Sequence, residues 1–188
     1  QSNWRWYLEP VAASAGEPPT VLFACNVMGS VPHVVGARLW SDAMQPQLAA
    51  DFMHCWQGDA LLTRIEPGVG NAPVLESRLR VAGAARPLAA GDAAQENGAA
   101  WWQEGFASRQ EALGFLVCQD AALAVAPDGR VALTRIDLPA DLTDIVAMSL
   151  DPEGLDCPFV ARIGGQASEA WCFLLPKVSF RVVSEHLL

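Results

Sequence analysis

Residues 121–136 of this chain read AALAVAPDGRVALTRI, and this stretch decides the fold class. Two short apolar and β-branched runs flank the turn sequence Pro127-Asp128-Gly129. Proline presets the φ angle of a turn and glycine accepts a positive φ, so the pattern predicts a β-hairpin. Because hairpins join neighbouring antiparallel strands, we expect an antiparallel sheet around it.

Strand-like runs recur on both sides of this hairpin. Trp4, Trp6 and Leu8 alternate with polar neighbours, which is the pattern of a half-buried strand. The other runs are short, apolar and bounded by glycine or proline. The predicted strands are Asn3–Val11, Thr20–Met28, His33–Trp40, Asp59–Ile65, Pro73–Val81, Cys157–Ile163, Ala170–Leu175 and Val178–Val183, and the second and third of these should form a hairpin.

One helix is predicted over Gln45–Trp56, where Leu48, Phe52 and Cys55 recur at helical spacing. Pro46 lies at its start, a position where the first helical turn tolerates proline. A nearby ambiguity concerns residues 142–150, whose composition suits a short helix or a strand equally well.

A second helical region follows in residues 92–113. Ser108 precedes Glu111 by three positions, which is the capping-box pattern of a helix start. Before it, a helix beginning near Asp92 would carry the adjacent Trp101 and Trp102. Successive helical side chains diverge by about 100°, so these two indoles cannot both face one core.

These elements predict an α+β fold with a predominantly antiparallel β-sheet of eight to ten strands and two or three short helices. The alternation of strands and helices that is typical of parallel βαβ units is missing from the pattern. We expect a single domain over 4–188, with a weak subdivision in the Ala-rich segment 83–98. Gln1-Ser2-Asn3 resembles the remnant of a cleaved tag.

Composition excludes several classes of partner. The net charge is −9 and the pI is near 4.7, with eleven scattered Arg and the single Lys177. Nucleic-acid binding requires clustered cations, so no nucleic-acid partner is expected. No apolar run approaches the roughly 18 residues of a membrane-spanning helix, so no membrane insertion is expected either.

The number and spacing of the cysteines indicate a cellular compartment. There are five, an odd number without a CxxC pair, and most lie in apolar runs where cysteine behaves as a small hydrophobe. A secreted disulfide scaffold would be shorter and denser in cysteine. The cytoplasm is therefore the expected location, although a signal peptide removed upstream would leave no trace in this sequence.

The familiar catalytic motifs are missing from the sequence. It contains no GxSxG, SxxK, P-loop, HExxH or EF-hand pattern. Adjacent His54 and Cys55 diverge on a helix and make a poor metal site, so no metal and no cofactor are expected.

A small thiol- or carboxylate-dependent hydrolase is the alternative function. Its nucleophile would be Cys55 beside His54, or Cys118 beside Asp120, each partnered by a histidine from elsewhere in the chain. The acid-rich sequence IDLPADLTD offers carboxylates at helical spacing. The remaining candidates are His33, His186, Asp137, Asp141 and Asp144.

The tryptophans favour a binding function. Seven Trp stand against one Tyr, and Trp is a preferred anchor at protein interfaces. We therefore predict a non-catalytic, bacterial-type protein-binding module, such as an adaptor, a chaperone or a toxin-neutralising protein. Its partner would be another protein, and its binding residues would be Trp101 and Trp102. A carrier of an apolar small molecule is a further alternative.

Two parts of the chain have a similar short sequence. Residues 58–66 read GDALLTRIE and residues 129–137 read GRVALTRID. A match of this length arises readily by chance, so the sequence alone does not establish a duplication.

Overall fold

The computed structural model describes residues 2–7, 20–41, 45–68, 73–82, 105–126 and 128–188. Over these ranges the chain forms ten strands and three α-helices. The strands are β1 Ser2–Tyr7, β2 Thr20–Met28, β3 Gln47–Gln57, β4 Ala60–Pro67, β5 Leu75–Val81, β6 Ala121–Val125, β7 Val131–Asp137, β8 Val146–Asp156, β9 Cys172–Leu174 and β10 Arg181–Leu187. The helices are α1 Val31–Trp40, α2 Arg109–Val117 and α3 Pro158–Arg162, and short 3-10 turns occupy Leu142–Asp144 and Ala167–Glu169.

The strand pairings confirm an α+β fold with a mostly antiparallel sheet. Among the described residues, seven pairings are antiparallel and two are parallel. The strands follow the order β10-β7-β6-β2-β3-β4-β5-β8-β9, and β1 pairs with β2 outside this path. The sheet is thus larger, relative to its helices, than the sequence indicated.

The sheet divides at β2. Val21 pairs with Tyr7 of β1 and with Ala122 of β6, so β1 and β6 flank β2 on opposite edges. At the other end of β2, Val27 pairs in parallel with Gln47 of β3. We call β1, β2, β6, β7 and β10 the first half-sheet, and β3, β4, β5, β8 and β9 the second half-sheet.

The predicted hairpin at 121–136 is confirmed as β6 and β7. Its register runs from Ala121 opposite Arg135 to Val125 opposite Val131. Gly129 adopts a φ of 86°, which glycine accepts without steric cost. The backbone amide of Arg130 donates to the Asp128 carboxylate at 3.1 Å, which closes the turn. Pro127 lies outside the described residues.

The predicted strand His33–Trp40 is wrong, because α1 occupies this segment. Pro32 lies in the first helical turn, where its missing amide hydrogen costs little, and Ser30 enters the helix with extended backbone at φ −131°. The β-branched Val34 and Val35 suggested a strand, but burial of Val34 against the sheet overrides that preference. The unit β2-α1-β3 is therefore a parallel βαβ unit, contrary to the expectation that none occurs.

The predicted helix Gln45–Trp56 is also wrong, since this segment forms β3. A β-bulge between Ala49 and Asp51 inserts one extra residue into the strand. Ala49 and Phe52 consequently both pack with Ile65 although they are three residues apart. The helical spacing of Leu48, Phe52 and Cys55 did not reflect a common face, because Leu48 packs with Met28 whereas Phe52 packs with Ile65.

Smaller differences concern the C-terminal third of the chain. The expected strand at 157–163 is α3, whose first residue is Pro158. The ambiguous segment 142–150 divides into a 3-10 turn and the start of β8. The last two strands exist but are shifted or shortened to 172–174 and 181–187.

Helices cover both sides of the sheet near β2. Val27 and Met28 are consecutive strand residues, so their side chains point to opposite faces. Met28 packs against Val34 of α1, whereas Val27 belongs to the cluster that contains Trp4. Trp4 in turn meets Phe159 of α3 edge to face at 5.4 Å. We therefore name the two faces the α1 side and the α3 side.

Helix α2 is tied to β1. The predicted N-cap is confirmed, since Ser108 Oγ accepts from the Glu111 amide at 3.1 Å. The Glu111 carboxylate reaches back one residue further than in a regular capping box and accepts from the Ala107 amide at 2.8 Å. At the other end, the Leu116 carbonyl accepts hydrogen bonds from the Arg5 guanidinium and the Tyr7 hydroxyl at 3.0 and 2.7 Å. These side-chain donors satisfy a carbonyl in the last turn of the helix, where backbone carbonyls have no partner within the helix.

Candidate functional site

The predicted binding residues Trp101 and Trp102 lie outside the described residues. So do the helix expected from Asp92 and the segment 83–98. The other five tryptophans lie within the described residues.

Adjacent His54 and Cys55 do not lie side by side as a catalytic pair would. Because β3 is a strand, His54 and Cys55 point to opposite faces of the sheet. His54 Nδ1 lies 2.8 Å from Thr63 Oγ1 on the neighbouring strand. His33 Nδ1 lies 2.8 Å from Ser30 Oγ, and His186 is exposed in β10. Across the described part of the chain, no three His, Cys, Asp or Glu side chains converge as a metal site would require.

Two of the cysteines lie in environments that disfavour the thiolate. Burial raises the pKa of the Cys25 thiol and of the Cys172 thiol. Catalytic thiols need the opposite shift, which a nearby cation or helix N-terminus supplies. The Asp120 carboxylate beside Cys118 is in an exposed ion pair with Arg135 at 3.5 Å.

The candidate carboxylates have local structural partners. Asp137 accepts from the Arg181 guanidinium at 2.7 Å. Asp141 accepts from the backbone amide and the hydroxyl of Thr143, and these hydrogen bonds lower the pKa of its carboxyl. Asp144 is exposed in the first 3-10 turn. Asp137 therefore stabilises a strand pair, Asp141 stabilises a turn, and Asp144 lies in that turn.

The tryptophans give a clearer signal. Trp4 packs against Phe159 and Trp171 lies near Phe173, as core-facing indoles do. Trp6, Trp40 and Trp56 are exposed, and Trp40 is the most exposed large apolar residue that the structure describes, at 85%. Exposed indoles are typical of interfaces, which supports a surface role for part of the tryptophan surplus.

Trp40 ends a helix whose outward side is apolar. Val31, Val35 and Leu39 follow one another at i, i+4 and i+8, so they form one stripe along α1. Their exposed fractions are 55%, 50% and 72%. We call these three residues and Trp40 the α1 outer face. A solvent-facing helix surface is normally polar, so this face has the composition of a contact surface.

The inner side of α1 fixes the helix in place. Val34 is buried against Met28, and Ala37 and Leu48 pack on the same cluster. The Arg38 guanidinium donates two hydrogen bonds to the Pro46 carbonyl, at 3.1 and 2.9 Å. At the helix end, Ser41 Oγ donates to the Glu185 carboxylate of β10 at 2.6 Å. The outer face therefore belongs to a helix that is fixed to the sheet, which limits the conformational entropy lost on binding.

Electrostatics also distinguishes this helix. The chain has a net charge of −9, yet residues 31–41 contain no Asp or Glu. The charged group of the helix, Arg38, is turned onto the Pro46 carbonyl. An apolar surface without like charges is suited to docking, because no charge has to be desolvated.

A second apolar surface, partly exposed, lies on the first half-sheet. Trp6 pairs with Leu22, Leu22 with Leu123, and Leu123 with Leu133, so these four side chains form one row across four strands. Val125 and Val131 form the next pair along the hairpin, and both are exposed. We call these six residues the open sheet face. It belongs to the α3 side, because Trp6 shares strand parity with Trp4.

Comparison with protein-family models, with curated proteins and with solved structures found no match to this chain. None of the described helices is long and apolar enough to cross a membrane. Function must therefore be argued from the surfaces themselves.

Proposed function

We propose that this protein is a non-catalytic protein-binding module and that the α1 outer face is its docking surface. The observation that supports the proposal is the exposed stripe of Val31, Val35 and Leu39 with Trp40 beside it. An adaptor, a chaperone and a toxin-neutralising protein are all forms of this activity.

Energetics supports a docking role for this face. Burying an exposed valine or leucine side chain contributes up to about 1.5–3 kcal/mol to the free energy of binding. An indole buries a comparable or larger apolar area. Interfaces typically depend on a few such anchors at their centre, and Trp is the most enriched among them. The α1 outer face offers three aliphatic anchors and one indole within a helix of ten residues.

A matched pair of variants tests the proposal. Val35→Glu places a charge in the middle of the outer face, and Val178→Glu places the same charge on a loop valine of nearly equal exposure, 49% against 50%. Glutamate is a better helix former than valine, so Val35→Glu should leave α1 and the thermal midpoint unchanged. The wild type and Val178→Glu should capture partner proteins from a lysate of the source cells. Val35→Glu should fail to capture them.

The captured protein then allows a quantitative check by calorimetry. Val35→Glu should weaken its binding by about 2 kcal/mol or more, which is close to thirtyfold in the dissociation constant. Equal binding by both variants would show that the partner docks elsewhere. Turnover of a substrate by the purified chain would contradict the non-catalytic part of the proposal.

A further inference from the structure

We propose that α1 is a clamp across the joint between the two half-sheets, so that binding at the α1 outer face also stabilises the closed joint. By the joint we mean the pairing of β2 with β3. This inference rests on the proposed function, because it concerns the regulation of the same docking surface. It follows from one packing cluster and from two hydrogen-bonded ties that reach different half-sheets.

The joint itself is short. Among the described residues, Val27 pairs with Gln47 and Met28 pairs with Leu48, and no other strand pairing connects the half-sheets. By contrast, β3 and β4 are paired along almost their whole length. Because so few backbone pairs cross the joint, contacts from outside the sheet should contribute much of its stability.

The inner side of α1 packs directly on this joint. Met28 of β2 and Leu48 of β3, which form one of the two pairs, share a cluster with Val34 and Ala37 of the helix. One helix therefore covers both strands of the joint from the α1 side. Separation of the two strands would uncover the buried Val34 side chain, and exposing this apolar surface to water is unfavourable.

Hydrogen bonds tie the same helix to each half-sheet. The Arg38 guanidinium donates at 3.1 and 2.9 Å to the carbonyl of Pro46, which is fully buried and directly precedes β3. Ser41 Oγ donates at 2.6 Å to the Glu185 carboxylate of β10, and the hydroxyl of the fully buried Thr134 lies 3.5 Å from the same carboxylate oxygen. The two ties start three residues apart at one helix end, so both can form only while the half-sheets keep this arrangement.

Thermodynamic linkage connects these contacts to docking. The inner side and the outer face belong to one helix of ten residues, so opening the joint also loosens the helix that carries Val35 and Leu39. A protein that binds α1 only in its anchored position stabilises the closed joint by mass action. Closing the joint in turn raises the affinity for that protein by the same factor.

Amide hydrogen exchange tests the clamp without any partner. Arg38→Gln removes the tie to the second half-sheet, and Ser41→Ala removes the tie to the first. Each change should speed exchange in α1 and at residues 47–49 by about tenfold, because a hydrogen bond to a charged group is lost, while the β6–β7 hairpin keeps its wild-type rate. The matched controls are Arg181→Gln, which breaks an ion pair within the first half-sheet, and Ser168→Ala at an exposed turn position. Neither control should change exchange at residues 47–49.

An antibody fragment tests the link between docking and the joint. The probe is a Fab that binds the wild type and Val178→Glu but not Val35→Glu. At a free concentration of about a hundred times its Kd, it should slow exchange at residues 47–49 by at least about tenfold and at most about a hundredfold. These residues lie beneath the inner side of α1, so the Fab does not cover them directly. A Fab that is lost with Val178→Glu but tolerates Val35→Glu is the control and should have no effect there.

Two sets of results would overturn the inference. In the variants, exchange that is unchanged, faster in α1 alone, or equally faster in the β6–β7 hairpin would show that α1 does not clamp the joint. Unchanged exchange at residues 47–49 under the first Fab would show that docking and the joint are independent. This second measurement uses the wild type, so it decides the question even if a variant unfolds. Failure of the proposed function is distinguishable, because a chain that captures no partner from the lysate would still show the coupled exchange.

Discussion

At the scale of single residues, several polar groups that the sequence offered as candidates for chemistry have local structural partners. Asp141 accepts from Thr143 within its own turn, and His54 lies beside a threonine hydroxyl. The Leu116 carbonyl is held by Arg5 and Tyr7. Polar groups engaged in this way stabilise turns, strand pairs and a helix end.

Asp59 and Arg80 give a prediction at this scale. The Arg80 guanidinium donates to both Asp59 oxygens at 2.6 Å, and this hydrogen bond with its charge lowers the pKa of the Asp59 carboxyl. Arg80→Gln removes the cation, so the pKa of Asp59 should rise toward the ordinary value of about 3.9. An NMR titration of the side-chain carboxyl carbon measures this shift, with Arg130→Gln as the control.

The sign of the pH dependence follows from that lowered pKa. A carboxyl with a lowered pKa in the folded state stabilises the fold above its unfolded pKa and loses this effect as the pH falls through the folded value. The difference in thermal midpoint between the wild type and Arg80→Gln should therefore shrink in acid. The part of this difference that comes from Asp59 should also be small throughout, because Asp59 is exposed and solvent screens the pair. An unchanged titration of Asp59 in Arg80→Gln would assign the shift to another group.

At the scale of elements, local signals were reliable where the chain itself supplies the contacts. The hairpin at 121–136 and the cap at Ser108 depend on residues next to one another, and both are confirmed. The outer face of α1 was also readable, since Val31, Val35 and Leu39 recur every fourth residue. The β-branched valines of this segment favour a strand by intrinsic preference, and that preference predicted a strand where the helix lies.

Other elements depend on contacts that no local pattern contains. The identity of β3 is fixed by pairing with β4, and its bulge moves Ala49 and Phe52 to one face. Segment 157–163 likewise contains a helix because Phe159 meets Trp4, more than 150 positions earlier in the chain. The open sheet face joins the β6–β7 hairpin to strands β1 and β2 from far earlier in the chain, so it had no local sequence signature.

The cap of α2 provides a prediction for an element. Ser108→Ala removes the hydroxyl that accepts from the Glu111 amide and should destabilise the protein by about 1 kcal/mol. Ser168→Ala, at an exposed position in the second 3-10 turn, should have almost no effect. Urea denaturation compares the two variants. Equal free energies of unfolding would mean that the cap contributes nothing.

At the scale of the whole molecule, the similar sequences at 58–66 and 129–137 occupy equivalent positions in two hairpins. Both segments supply the second strand of a hairpin, β4 and β7, and both hairpins turn through a glycine with positive φ, Gly58 and Gly129. The first strand of each hairpin is parallel to β2. The central strand thus organises two similar units, one in each half-sheet.

The joint between the half-sheets is narrow. Two parallel residue pairs, Val27 with Gln47 and Met28 with Leu48, connect β2 to β3. A buried cluster supports this joint from the α3 side, and Ile65 of β4 is its fully buried member from the second half-sheet. Because few pairings cross the joint, the cooperativity of the whole sheet should depend strongly on that cluster.

Ile65→Ala tests this dependence. Ile65 packs with Val27 and Trp4 of the first half-sheet, so the cavity would lie between the half-sheets and should cost about 2–5 kcal/mol. Ile136→Ala makes the same chemical change at a buried site within the first half-sheet and serves as the control. Amide hydrogen exchange should show β4 and β5 opening separately from β6 and β7 in Ile65→Ala, but not in Ile136→Ala. If every strand instead opens with one common free energy in both variants, the sheet unfolds as a unit. The parallel pairs at β2 would then suffice to couple its halves.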